Sequence, residues 1–275
     1  MRVLTLTDIA RMKRVAAEEA MRERAQAVPV SDGLILARVL GRYKMLLSAA
    51  DRGFACNVML DGYWESWLTR FLAGRLKAGM HVADIGANFG YYTLLMAAAV
   101  GPAGRVHAIE PHPETAHVLR QNVVLNGFDR YTEVHELALG AEISGEVTLF
   151  TPDGEPKNAT VVATAPPHGG RAVTVRATSF DELLGDQRLD LVKIDAEGAE
   201  VGILAGMARL IERHRPAMVL EFNAARYGDP AAVLGSLLRI YGRAKVISHE
   251  GYAEPIAPET VLSTQIGEDW LLYFE

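Results

Sequence analysis

The chain has 275 residues, 49% of them hydrophobic and 23% charged, enough apolar content to bury one large core with or without a small accessory unit. Twenty-eight Lys and Arg against 34 Asp and Glu leave a formal charge of −6. That balance excludes a broad basic surface tracking phosphates, so no nucleic-acid partner is expected, and the apolar content excludes extensive disorder. The one cysteine, Cys56, makes neither an internal disulfide nor a Cys-based zinc cluster and reads as a buried small hydrophobe in a reducing compartment. The longest apolar run, 91–100, is about half of a membrane span. Charges at Asp8, Arg11, Lys13 and Arg14 break any signal-peptide core, so a soluble cytoplasmic protein without a transmembrane segment is expected.

In chain order, residues 7–27 read as a helical arm with a thin apolar stripe at Ile9, Met12, Val15 or Ala16, and Ala20. It is expected to dock on the body, or on a second copy in a homo-oligomer, and to end at Pro29–Gly33. Two β-like runs follow, LILARVLG and YKMLLSA, then a helix from Glu65 to Lys77. From Met80 the pattern becomes strand, helix, strand with short connectors. Strands are expected at 81–86, 105–111, 132–139, 189–195, 217–223, 244–249 and 269–275. Helices are expected at 91–100, 113–126, 199–213 and 230–241. This alternation implies an α/β, doubly wound, mostly parallel sheet covered on both faces. EVTLFT (146–151) and RAVTVRAT (171–178) read as paired strands around a Gly/Pro-rich loop suited to holding a substrate. The division is therefore an N-terminal helical and β cap, 1–78, and a main unit, 79–275, with an insertion at about 146–178.

Asp84-Ile85-Gly86-Ala87-Asn88-Phe89-Gly90 is a strand end, a glycine turn and a helix start. Gly86 and Gly90 permit close approach of a ligand to the backbone. Asn88 stands where the dinucleotide fingerprint requires glycine, and Asp84 would repel a pyrophosphate, so a cationic ligand with ammonium and sulfonium groups is favoured. Glu110 closes the next strand 20 residues beyond Gly90, where doubly wound folds place an acid on ribose hydroxyls. Ala138, in the turn after the third strand, falls beside the adenine.

A second cluster is Lys193-Ile194-Asp195-Ala196-Glu197-Gly198-Ala199-Glu200. On a strand, Lys193 and Asp195 point the same way, and Glu221 and Asn223 emerge from the next strand end. Lys193, Asp195 and Glu221 form either a charged catalytic cluster or a structural ion pair, and Glu197 and Glu200 also suit the first turn of a helix.

DIGANFGYYTLL, AIEP, LVKIDAEGAE and LEFN, with GYWESWL at 62–68, resemble the FkbM-type S-adenosylmethionine-dependent methyltransferases over roughly 50–225. The resemblance implies a seven-stranded class I methyltransferase sheet with its last strand antiparallel. It also implies S-adenosylmethionine as cofactor and O-methylation of a hydroxyl on a sugar, glycolipid or polyketide. It puts Asp84, Gly86, Asn88 and Glu110 on cofactor positions, Asp195 and Glu197 on active-site positions, and Glu65 within reach of the cofactor.

The expected enzyme uses Asp195 as proton acceptor, with Lys193 and Glu221 tuning it and no metal. Two alternatives remain open. In one, Asp195, Glu221 and Asn223 hold Mg²⁺; in the other, the chain is a non-catalytic S-adenosylmethionine-binding subunit.

Overall fold

A computed structural model describes residues 3–31, 33–141, 145–152, 160–161 and 170–275, and only the backbone at 151–152, 160–161 and 170–171. The chain opens with α1 (Leu6–Arg11) and α2 (Arg14–Arg22). They are split where Met12 and Lys13 take extended backbone, so the expected single arm is two helices. Its stripe, Ile9, Ala17 and Met21, is fully buried against the chain's own body. Next come β1 (Ala27–Ser31), β2 (Leu34–Val39) and β3 (Tyr43–Ser48), an antiparallel sheet in the order β1-β2-β3. The helical arm ends before Pro29–Gly33, but Pro29 itself sits in an exposed edge strand beside a register shift, where a missing N–H costs no ladder bond. Then α3 (Phe54–Asp61) and α4 (Ser66–Arg75) lead into the main unit. Cys56, on α3, is exposed, correcting the expectation of a buried thiol.

The main unit runs β4 (His81–Ile85), α5 (Tyr91–Val100), β5 (Arg105–Ile109), α6 (Pro113–Leu125), β6 (Thr132–His135) and β7 (Ala138–Leu139). The excursion follows: β8 (Gly145–Pro152), β9 (Thr160–Val161), β10 (Gly170–Thr178) and α7 (Phe180–Leu184). The chain closes through β11 (Leu191–Ile194), α8 (Glu200–Ala205), α9 (Ala208–His214), β12 (Ala217–Phe222), α10 (Pro230–Tyr241), β13 (Lys245–Ile247), β14 (Ala253–Pro255), α11 (Pro258–Ser263) and β15 (Trp270–Phe274). The large sheet has the order β14-β13-β15-β12-β11-β4-β5-β6. Strands β12, β11, β4, β5 and β6 are parallel, and β15 runs antiparallel to β12. All seven expected strands are there, with short β14 added at the edge.

The central strands are apolar at successive positions because helices cover both faces. Val82, Val106, Leu191 and Val219 face one apolar layer, while Ala83, Val192, Ile194 and Leu220 face the other. The first layer also contains Ile9, Met21, Val39 and Met45, so the N-terminal elements share the main core. Asn122 of α6 fixes that junction: it accepts from Leu46 N (2.6 Å) and donates to the Leu46 and Phe89 carbonyls (2.9 and 2.8 Å).

Two expected elements divide. The strand at 132–139 breaks at Glu136-Leu137, and β7 leaves the large sheet to pair in parallel with β10. The helix at 199–213 breaks at Gly206, where a Cβ would stand 1.9 Å from the Gly140 carbonyl oxygen. The expected pairing of 146–151 with 171–178 is present as antiparallel β8–β10. The proposed substrate-holding loop between them lies outside the described residues, apart from β9. Among the described residues, no helix is long and apolar enough to cross a membrane.

Candidate active site

From β4 the chain winds outward through β5 and β6, then returns to place β11 on the other side of β4. The β4/β11 boundary is thus the topological switch point, and ligands bind outside the strand C-termini there. A cleft of about 310 Å³ opens at that place. Gly86 is obligatory because the two strand ends nearly touch: at φ +75° a Cβ would lie 1.7 Å from the Asp195 carbonyl oxygen. Gly90, at φ +95°, starts α5, and a Cβ there would lie 2.3 Å from Leu119. Gly90 is not among the residues lining the cleft.

Glu110 lies at the cleft wall, 8% exposed. Its two carboxylate oxygens accept the Asn88 N–H (2.8 Å) and the His112 N–H (2.9 Å). Burial raises its pKa from 4.5 to about 7, against those two hydrogen bonds. Asn88 reaches this position in the left-handed region, φ +51°, which Asn tolerates better than most residues. Ala138 and Leu137 line the cleft as expected beyond β6.

Asp84 needs a correction. Its carboxylate is fully buried rather than presented to a ligand. It accepts from Thr93 Oγ1 at 2.6 Å and lies 3.7 Å from Lys193 Nζ. The cation Asp84 faces is therefore the protein's own lysine, its neighbour in the β4–β11 register. Lys193 in turn donates to Asp195 Oδ2 at 3.0 Å and sits over the Tyr92 ring. Burial would lower its pKa, but Asp195, Asp84 and Glu65 outweigh that and hold it above the usual lysine value. Asp195 is the exposed end of this chain of charges, with its side chain 32% accessible.

Glu65 precedes α4 with φ +36° and accepts a hydrogen bond from the Tyr92 hydroxyl at 2.7 Å. Burial and the Asp195 charge raise its pKa. Glu197 also lines the cleft, at φ +49°. Half of the six non-glycine residues with positive φ among the described residues, Glu65, Asn88 and Glu197, therefore line this cleft. Such strain costs about 1–3 kcal/mol each and concentrates at functional sites.

Glu221 lines the cleft too, its pKa pushed up to about 9 by burial and by Asp195, Asp269 and Glu197, against Arg226. The sequence reading missed Arg226. From the 3₁₀ turn Ala224–Arg226 it spans Glu221 (3.2 Å), Asp269 (3.4 Å) and Glu197 (3.6 Å). It lies five residues beyond Glu221 with no motif around it, and only the fold brings Asp269 to it. Tyr92 was also missed as a lining residue. Trp64, two residues before α4, lines the cleft as well.

The Mg²⁺ arrangement does not fit. The Asn223 side-chain oxygen accepts the Ala225 N–H (3.0 Å), and its amide nitrogen donates to Asp269 (2.8 Å) and Gly267. Glu221 and Asp195 are each engaged by a cation, Arg226 and Lys193. The other residues fit S-adenosylmethionine: a buried acid beside loop amides, an apolar slot at Leu137–Ala138, and carboxylates facing the cleft where a positive ligand belongs.

Taken together, the switch-point cleft and its strand-end acids define a doubly wound α/β protein built to hold a cationic nucleoside. A model of the FkbM methyltransferase domain matches residues 84–244. The chain belongs to this family of S-adenosylmethionine-dependent methyltransferases. It is 25% identical over 189 residues to the hexuronic acid methyltransferase AglP of Haloferax volcanii, covering 62% of this chain and 72% of that one. It is 35% identical over 91 residues to a protein-L-isoaspartate O-methyltransferase of Aeropyrum pernix, and 27% over 146 residues to methyltransferase 1 of Beauveria bassiana. Those matches cover 33% and 46% of this chain and span 32% and 57% of the two relatives. Among solved structures, an FkbM methyltransferase from Methylobacillus flagellatus aligns at TM-score 0.47 and 18% identity, covering 80% of this chain and 52% of that one.

Proposed function

We propose that the chain is an O-methyltransferase that methylates a hydroxyl of a small sugar, glycolipid or polyketide-type acceptor, with no metal in the cleft. The observation that carries this reading is Asp195. It is a solvent-reaching carboxylate at the switch point, hydrogen-bonded to a lysine that is itself buried between two acids. When bound, the cofactor supplies an electrophilic methyl group on a positively charged sulfur. Glu110 would receive the ribose hydroxyls on its remaining lone pairs, and Leu137 and Ala138 would flank the adenine. Asp195 takes the acceptor's hydroxyl proton as the acceptor oxygen attacks. Alignment of the two reactants does much of the work.

Lys193 fixes the orientation of Asp195 through its hydrogen bond. Glu221, its pKa pushed up by burial and by Asp195, Asp269 and Glu197, lines the cleft beside Asp195 and tunes it. Trp64 offers a flat apolar face of the kind that sugars stack on. The Haloferax relative, named for a hexuronic acid, supports a sugar acceptor.

The test is methyl transfer from labelled S-adenosylmethionine to a panel of glycosides and polyketide-type alcohols. Asp195→Asn should lower transfer by roughly 10²-fold or more, the scale of a lost general base, while cofactor affinity stays within a few-fold. Near-normal turnover in this variant would reduce Asp195 to a structural partner of Lys193.

A further inference from the structure

The large sheet carries a second cluster, on the face opposite Asp84 and Lys193. His107 of β5 and His135 of β6 are register neighbours but one, and Glu133 pairs directly with His107. Side chains two residues apart on a strand share a face, so all three project together at the β6 edge of the sheet. His107 Nδ1 lies 3.2 Å from His135 Nε2, and Glu133 Oε2 lies 3.8 Å from the first and 3.9 Å from the second.

We propose that His107, Glu133 and His135 bind one divalent transition-metal ion of the zinc type. Three distances of 3.2, 3.8 and 3.9 Å define a triangle whose equidistant point lies about 2.1 Å from every corner, the length of a Zn–N or Zn–O bond. Two imidazoles and a carboxylate suit zinc rather than Mg²⁺ or Ca²⁺, which take oxygen ligands. The other carboxylate oxygen of Glu133 accepts from Arg105 Nη1 at 3.0 Å, an outer partner of the kind that orients metal-ligating carboxylates.

The two rings lie within 17° of parallel with centroids 5.5 Å apart, so their nitrogens face each other and in the ion-free state share a proton. An ion replaces that proton as the rings tilt toward Glu133. His107 is almost wholly buried, but His135 and Glu133 are 18% and 49% accessible. The two outer ligands thus supply both the movement and the route of entry, and water completes the coordination. The bound ion ties edge strand β6 to β5.

The experiment is titration of Zn²⁺, followed by calorimetry, and of Co²⁺, followed by its ligand-field absorption, into the full chain after chelator dialysis. One ion per chain with the spectrum of tetrahedral cobalt is expected, together with a thermal stabilisation that grows with ion concentration. His135→Ala should abolish binding. Arg105→Gln should weaken it by about 10-fold or more, as for other outer partners, and His117→Ala, an exposed histidine elsewhere, should leave it unchanged. Absence of a bound ion, or binding that survives both His135→Ala and Glu133→Gln, would overturn the proposal. Because His135 and Glu133 reach solvent, these variants retain the buried His107 and should keep the fold.

Discussion

At the scale of single residues, Glu110 carries the clearest pH dependence. Its pKa rises from 4.5 to about 7 because burial outweighs two backbone hydrogen bonds. The folded chain therefore holds a proton that the unfolded chain has lost between those values. Glu110 contributes to stability at low pH, and that contribution is lost as pH rises through the window. Affinity for S-adenosylmethionine should move the other way, because the ionised carboxylate is the better acceptor for ribose hydroxyls. Affinity is expected to rise with pH up to about 7 and then level off, in calorimetry across that range. A profile flat across it would remove Glu110 from the ribose. That Glu110 and Asp195 reach the cleft was legible in the sequence, because each stands at the end of an apolar strand run. The partner of Asp84 was not: a parallel register sets Lys193 beside it from 109 residues away, and only the three-dimensional neighbour shows that the acid is already neutralised. Arg226 was invisible for the same reason, since its three carboxylates come from separate segments.

At the scale of elements, the βα alternation from 81 onward could be read directly, because fully covered parallel strands are continuous apolar runs between glycine turns. The single strand expected at 132–139 and the single helix at 199–213 failed where one tertiary contact overrides a continuous local pattern. Gly206 approaches Gly140 too closely for any side chain, and both residues belong to the region where the excursion leaves the sheet. The N-terminal arm packs on the chain's own body, one of the two expectations, but beyond Ile9 it buries Ala17 and Met21 rather than the expected stripe, because the groove that selects them is supplied by the rest of the chain. Asn122 joins these levels: one fully buried side chain binds the N-terminal β3, α6 and the glycine loop through Phe89. Asn122→Ala strands the Leu46 and Phe89 groups it satisfies, which should cost about 2–3 kcal/mol in equilibrium unfolding. A change below about 0.5 kcal/mol, the range of ordinary surface substitutions, would mean that the junction is held by apolar packing alone.

At the scale of the whole molecule, the N-terminal elements and the sheet share one apolar layer: Ile9, Met21 and Met45 belong to the same cluster as Val82, Leu191 and Tyr273. Unfolding in denaturant should accordingly be one transition, coincident by fluorescence and circular dichroism; two separated transitions would show that residues 1–78 fold as an independent unit. The shared layer also keeps Glu65 and Trp64, from the N-terminal side, against a cleft whose floor is made by β4, β5 and β11. The central claim is that this cleft holds S-adenosylmethionine with Glu110 on its ribose. Calorimetry at a pH well above 7, on the native chain and on Glu110→Gln, tests it most directly. One cofactor per chain is predicted, with affinity reduced in the variant by about 1.5–3 kcal/mol, the worth of charge-assisted hydrogen bonds. No binding by the native chain, or equal binding by a folded Glu110→Gln variant, would contradict it.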